Sequence, residues 1–196
     1  MAIRRELLLV IILLLAATVL VKAVDFFSVN VEKGDASKFV LEDIRVKYPN
    51  ADAGILQTNE MRNSQGEKYF EVKARVTEGL NTPCPRRIHI YYNYPVQNFV
   101  PQPAEVITQN CAVCTEGTCI LNYPEEAIIA SHTFRGTEEV TGYLRSYPEA
   151  APNVEDVGNE WTVSCNYSNA SDSYQVILNK DGALMNVTQI VKGEAE

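Results

Sequence analysis

Two stretches of this 196-residue chain repeat one order of elements, and that repeat limits the fold more than any other feature. The first opens DASKFVLEDIRVKYPN, runs on through EKYFEVKARVTEG and reaches RRIHIYYNYP. The second opens GTEEVTGYLRSYPEA and runs on through EWTVSCNYSNASDSYQVILNKDGALMNVTQIV. Each opening places apolar residues at helical spacing: Val40, Leu41, Ile44 and Tyr48 in the first, Val140, Tyr143, Leu144 and Tyr147 in the second. Both helices are expected to stop at Tyr-Pro, because proline cannot continue a helix and pulls the residue before it out of helical geometry.

Strands follow each helix. Phe70, Val72, Ala74 and Val76 alternate with Glu71, Lys73 and Arg75. Trp161, Val163, Cys165 and Tyr167 alternate with Thr162, Ser164 and Asn166. This is the period of a strand with one buried face. Aligning Trp161 with Phe70 sets Cys165 opposite Ala74, so its thiol is expected inside and free. Further strands are expected at 88–94, 174–179 and 184–191, with turns at 63–66 and at Lys180-Asp181-Gly182. The fold class is α+β: two tandem units, each a helix laid on an antiparallel sheet.

This arrangement resembles the PepSY and cystatin-like group of extracytoplasmic modules. The second copy carries most of the resemblance, with a helix ending in Tyr-Pro, a strand holding Trp161, and a strand–turn–strand through Asp181-Gly182. It covers 136–191 well and 35–94 less well. The resemblance implies a protein that binds, inhibits or regulates. Gln189-Ile190-Val191-Lys192-Gly193 also fits the Q-x-V-x-G of cystatin inhibitors, where that motif is a hairpin tip. Here no strand follows it, and it is read as the end of the last strand.

The N-terminal segment MAIRRELLLVIILLLAATVLVKAVDFF bears on location. Residues 7–21 carry no charge, and twelve of the fifteen are Leu, Ile or Val. At about −0.3 to −0.6 kcal/mol each, they give roughly −4 to −7 kcal/mol in favour of insertion. The run is shorter than the ~20 residues of a full span, but Lys22 can snorkel and Ala23, Val24, Phe26 and Phe27 extend it. Arg4 and Arg5 precede it, so the N-terminus is expected in the cytoplasm and the remainder outside. The run is long for a signal peptide, which favours a retained anchor through residues 7–27. A leader cleaved after Val21-Lys22-Ala23 is the alternative, and the protein would then be secreted. The expected organisation is an anchor at 1–27, a first unit at 28–94, a Cys/Pro-rich connector at 95–135 and a second unit at 136–196.

The whole chain has 17 basic and 25 acidic residues. With Arg4, Arg5, Lys22 and Glu6 set aside in the leader, 14 basic and 24 acidic residues remain, a net of −10. Such a charge argues against nucleic acid and against anionic headgroups as partners of the exported part.

The connector holds QNCAVCTEGTC, a Cys-x2-Cys-x4-Cys cluster at Cys111, Cys114 and Cys119, with Cys84 ahead of it in TPCPRR. Three chemistries compete. Zinc could take Cys84, Cys111, Cys114 and Cys119, with His89 or His132 as substitutes, although structural sites generally use two paired knuckles. A redox pair at Cys111 and Cys114 would need a helix N-terminus in a βαβ setting. Disulfides suit an exported chain, and they are the favoured reading. Pairing Cys111 with Cys114 would strand Cys84, so Cys84 is expected to join one of those two and Cys119 the other.

Little else suggests chemistry. His89 alternates with Ile88 and Ile90 and is expected to face solvent, and no third partner, nucleophile motif or metal pair accompanies it or His132. Tyr92 and Tyr94 are read as core and Tyr91 as an exposed contact. Glu125, Glu126, Glu138 and Glu139 read as solvated faces or as favourable charge at helix N-termini. No nucleophile, metalloprotease or phosphate-loop motif is present, so neither a catalytic residue nor a cofactor is expected. Asn166, Asn169 and Asn186 head glycosylation sequons. The function expected is that of a membrane-anchored extracytoplasmic binding or regulatory protein with a protein partner and no enzymatic activity. The alternative is a zinc-binding or thiol-redox protein that uses the cysteine cluster.

Overall fold

The computed structural model describes residues 14–15, 17–19, 32–95, 102–108, 110–114 and 119–192. Residues 1–32 form a unit apart from 33–196. Of its described residues, 14–15 and 17–19 are helical and Glu32 is not. No helix among the described residues is long and apolar enough to cross a membrane. Most of 7–27 lies outside them, and the anchor expectation lies there with it.

The described residues of the remainder are α+β, with two four-stranded antiparallel sheets and three helices. The first sheet has the order β1 (Asp52–Arg62), β2 (Lys68–Glu78), β3 (Arg86–Tyr94) and β4 (Glu105–Val106). It follows helix α1 (Lys33–Lys47). The alternation of β2 appears directly: Phe70, Val72, Ala74 and Val76 are buried, and the residues between them are mostly half-exposed. Helix α1 packs on β1 and β2, burying Ala36, Val40 and Ile44. The register pairs Phe70 with Tyr94 and Val72 with Tyr92, so both tyrosines share the helix-covered face. There the Tyr92 hydroxyl donates to Asp43 Oδ2 at 2.7 Å, and Tyr94 stacks near Phe39 with ring centroids 5.1 Å apart. The turn at 63–66 closes on Asn63, whose Oδ1 accepts from the backbone N–H groups of Gln65 and Glu67. That is an Asx turn, and Gly66 takes the positive φ it needs.

The second sheet has the order β5 (Ala151–Val157), β6 (Glu160–Asn166), β7 (Asp172–Asn179) and β8 (Leu184–Val191). Two helices precede it, α2 (Pro124–Thr133) and α3 (Glu138–Ser146). Val140, Tyr143 and Leu144 of α3 join Trp161, Val163, Cys165, Tyr174, Val176 and Leu178 in one core. The Tyr143 hydroxyl sits between strands, donating to Asp172 O and accepting from Tyr167 N. Cys165 is free and 1% exposed. The alternation that placed its thiol inward is the burial pattern of β6 itself.

Helix α2 departs from the sequence reading. It lies inside the 95–135 connector, where no helix was expected, and it is the most deeply buried of the three. Residues 127–131 are all buried, and the helix packs on β5, β6, β7 and α3. Strand β5 was likewise not anticipated. It is an edge strand in which Pro152 alone is buried, so it shows no alternation to read.

The acidic start of α2 needs a second correction. Glu126 does serve the helix end: its Oε2 accepts from the N–H groups of Asn122 and Tyr123. Glu125 is not on a solvated face; it is 0% exposed. Its carboxylate meets Arg75 Nη1 of β2 at 3.3 Å and Arg87 Nη1 of β3 at 3.2 Å. Arg87 also reaches Glu126 at 2.8 Å, and Arg75 pairs with Asp52. Both guanidinium groups lie 4.9 Å from the centre of the Tyr123 ring. The polar face of the first sheet is therefore closed by the N-terminus of α2.

Removing one partner of a buried ion pair leaves the others desolvated and uncompensated, at about 3–5 kcal/mol. Glu125→Gln is therefore expected to lower unfolding free energy by about 3 kcal/mol in urea titration. Glu155→Gln, on the exposed edge of β5, is expected to change it by less than about 0.5 kcal/mol.

Candidate functional site

The four clustered cysteines form two bridges, Cys84–Cys111 and Cys114–Cys119. This is one of the two pairings that the sequence left open. The first closes a separation of 27 residues and ties the β2–β3 loop to the connector. By loop-closure entropy such a link contributes about 3–4 kcal/mol, against about 2 for the five-residue separation of the second. Asn110, Cys111 and Cys114 all take positive φ, between 53° and 57°. Non-glycine residues rarely adopt this conformation, and two of the three are bridged cysteines.

Each bridge has its own setting. Cys119 lies against the β7–β8 turn, where Gly182 has φ +78°. A Cβ at Gly182 would stand 2.8 Å from Cys119 Cβ and closer still to its sulfur. The turn therefore needs glycine twice, for its backbone and for the room it leaves. Leu121 continues this anchoring: its N–H donates to Lys180 O, and its carbonyl accepts from Trp161 Nε1 at 2.8 Å. The connector thus ends pinned to the second sheet.

Cys84–Cys111 stands beside His132, at the last turn of α2. His132 Nδ1 is 2.9 Å from Ile128 O. A carbonyl only accepts, so Nδ1 carries the proton of the neutral ring and Nε2 offers a lone pair. Nε2 is 3.4 Å from Cys111 Sγ. The ligating atoms of Cys84, Cys111 and His132 all lie within 4.8 Å of one another. Burial pulls the His132 pKa below its ordinary value, partly offset by the Ile128 hydrogen bond. Among these residues Cys84 is exposed and Cys111 half-buried. Cys84 and His132 border an open groove of about 370 Å³ with Thr82, Pro83, Leu144 and Arg145.

The sequence-predicted residues therefore divide. Cys84, Cys111 and His132 come together, so of the two histidines offered as substitute ligands it is His132 that stands beside the cysteines. Cys114 and Cys119 pair separately, so the four-cysteine tetrahedron is not formed. His89 is elsewhere and does not face open solvent: its side chain is 12% exposed, 3.6 Å from Glu105. Tyr91 is also engaged, donating to Glu105 and lying under Lys73. Asn166, Asn169 and Asn186 are all exposed. Glu125 does lie in the first turn of a helix, one of the two settings read for it, but its burial between two arginines is not legible; Pro124 at the helix start with Glu126 two residues on is the signal for the helix.

Comparison with protein-family models gave no match, and comparison with curated proteins and with solved structures gave none either.

Two outcomes follow from this geometry. Intact mass under non-reducing, denaturing conditions is expected to fall short of the fully reduced chain by four hydrogens, and iodoacetamide in denaturant should label Cys165 alone. The pH dependence of stability is the second outcome. A histidine whose folded pKa lies below its ordinary 6.5 binds fewer protons folded than unfolded in that window. Its contribution is complete above about pH 6.5 and is lost as pH falls through the folded value. His132→Asn is expected to flatten the slope of unfolding free energy below pH 6.5 without abolishing it, since burial also lowers the pKa of His89.

Proposed function

We propose that this is a non-catalytic binding or regulatory protein, held at the extracytoplasmic face of a membrane by residues 7–27. The observation that carries the reading is the pair of disulfides in the connector. Bridges of this kind form and persist outside the reducing cytosol. The uncharged run at 7–21, with Arg4 and Arg5 before it, supports the same placement. Two helix-bearing antiparallel sheets in sequence support a kinship with PepSY-like and cystatin-like modules, whose roles are binding and inhibition. The groove beside Cys84, between the β2–β3 loop and α3, is the surface we assign to a protein partner.

A second reading, metal or thiol chemistry at the cysteine cluster, is favoured by one observation: the lone pair of His132 Nε2 directed at Cys111 Sγ.

Placement and partner are tested together in intact cells. A tag after residue 196 should be cleaved by external protease, and the chain should stay in membranes after alkaline washing. A protease-protected tag with reduced thiols would sink the proposal. A photo-crosslinker at Arg145, beside the groove, should give a discrete adduct. The same probe at Val46, which is 82% exposed on α1, should give none. Equal adducts at both positions would remove the groove from the reading.

A further inference from the structure

We propose that Cys84, Cys111 and His132 form a redox-gated site for a soft divalent cation, zinc above all, closed while the cysteines are bridged and open once they are reduced. The inference deepens the second reading above and does not depend on membrane anchoring.

Three observations converge. The two sulfurs and Nε2 already lie within 4.8 Å of one another. Zinc with ligands at about 2.0–2.3 Å places neighbouring sulfur and nitrogen donors roughly 3.5 Å apart. Cys111 Sγ and His132 Nε2, at 3.4 Å, have that spacing before any metal arrives. The outer nitrogen is also in order. A metal-binding histidine typically donates its other N–H to a carbonyl or carboxylate, which fixes tautomer and ring plane. Nδ1 of His132 does so to Ile128 O, within the rigid turn of a buried helix. The surroundings supply the third observation. Cys84 and His132 line the groove, so a fourth ligand position would face it and remain open to water or to a donor from a bound molecule. Cys2His with one open position is a known zinc arrangement.

The chemistry balances. A dithiol reductant transfers two electrons to the Cys84–Cys111 bond, which breaks as the reductant's own sulfurs join. Its two protons pass to the cysteine sulfurs. Entry of Zn²⁺ displaces both protons to solvent and leaves two thiolates and one neutral imidazole as ligands. The other bridge, Cys114–Cys119, is not part of this cluster.

The test uses the full-length chain in mild detergent with Cys114→Ser and Cys119→Ser, so that one bridge remains. After reduction with a phosphine, Co²⁺ is titrated without oxygen. The expected result is one equivalent bound, with intense thiolate-to-cobalt absorption in the near ultraviolet and tetrahedral bands in the visible. The unreduced sample should show neither. His132→Asn should weaken binding by at least ~10-fold, and Cys84→Ser should remove about half of the charge-transfer intensity. Protection of Cys165 from alkylation reports that the reduced protein is folded. A reduced, folded protein without the charge-transfer band would overturn the proposal, as would binding indifferent to His132→Asn. So would reduction that exposes Cys165 with no recovery on adding Co²⁺ or Zn²⁺. Thiol exchange without metal binding would sink the metal site and leave the thiol reading standing.

Discussion

The carboxylate of Glu125 has no contact with water, and two guanidinium groups from the first sheet are what make that tolerable. A lone buried charge there would cost several kcal/mol in lost solvation. The requirement runs both ways. Arg75 and Arg87 occupy the face of the first sheet that α1 does not cover, with side chains only about one-tenth exposed. Neither the sheet nor the helix can bury these charges without the other. Such a cluster adds little net stability over an apolar contact, but it accepts one arrangement and rejects sliding. It fixes where α2 begins. Seven residues and about 10 Å further along the same helix is His132. His132 thus stands on the same helix whose first turn the ion pairs join to the first sheet.

The elements that the sequence revealed are those whose burial is one-sided. Strands β2 and β6 are covered on one face by helices, so their apolar residues alternate and can be recognised without a structure. Helix α3 has the same legibility through Val140, Tyr143 and Leu144. Helix α2 fails the test because it is enclosed nearly all round: Ala127, Ile128, Ile129, Ala130 and Ser131 are buried in succession. A helix without an exposed face has no amphipathic period to detect. Edge strand β5 fails for the opposite reason, since it buries almost nothing.

The error over His89 has a related origin. Alternation gives the face on which a residue stands, and it placed His89 correctly opposite Ile88 and Ile90. It cannot say what covers that face. Chain from the connector does so, through β4 with Glu105 and through the acidic start of α2, and these contacts link residues 14 to 50 positions apart. The cluster of Cys84, Cys111 and His132 was hidden for the same reason. Reasoning about which pairing strands no thiol joins Cys84 to Cys111 or Cys114 and leaves that choice to the structure. The sequence offers His132 and His89 alike as substitute ligands, and the choice between them depends on the position of a helix without a periodic trace.

The five cysteines are thus separated by environment rather than by chemistry of their own. Cys165 faces the second core, and burial pushes its thiol pKa up to about 11. A thiol so rarely ionised is a poor nucleophile and a poor ligand. Cys114–Cys119 is pressed onto the Gly182 turn and closes a short loop. Cys84 alone combines exposure, a bridged neighbour and an imidazole within reach. A reagent approaching from solvent meets that sulfur at the rim of the groove. The bridge therefore lies at the edge of the groove and also ties the β2–β3 loop to the connector. The groove proposed for a partner and the proposed cysteine site, read from the sequence as competing possibilities, share Cys84 and His132.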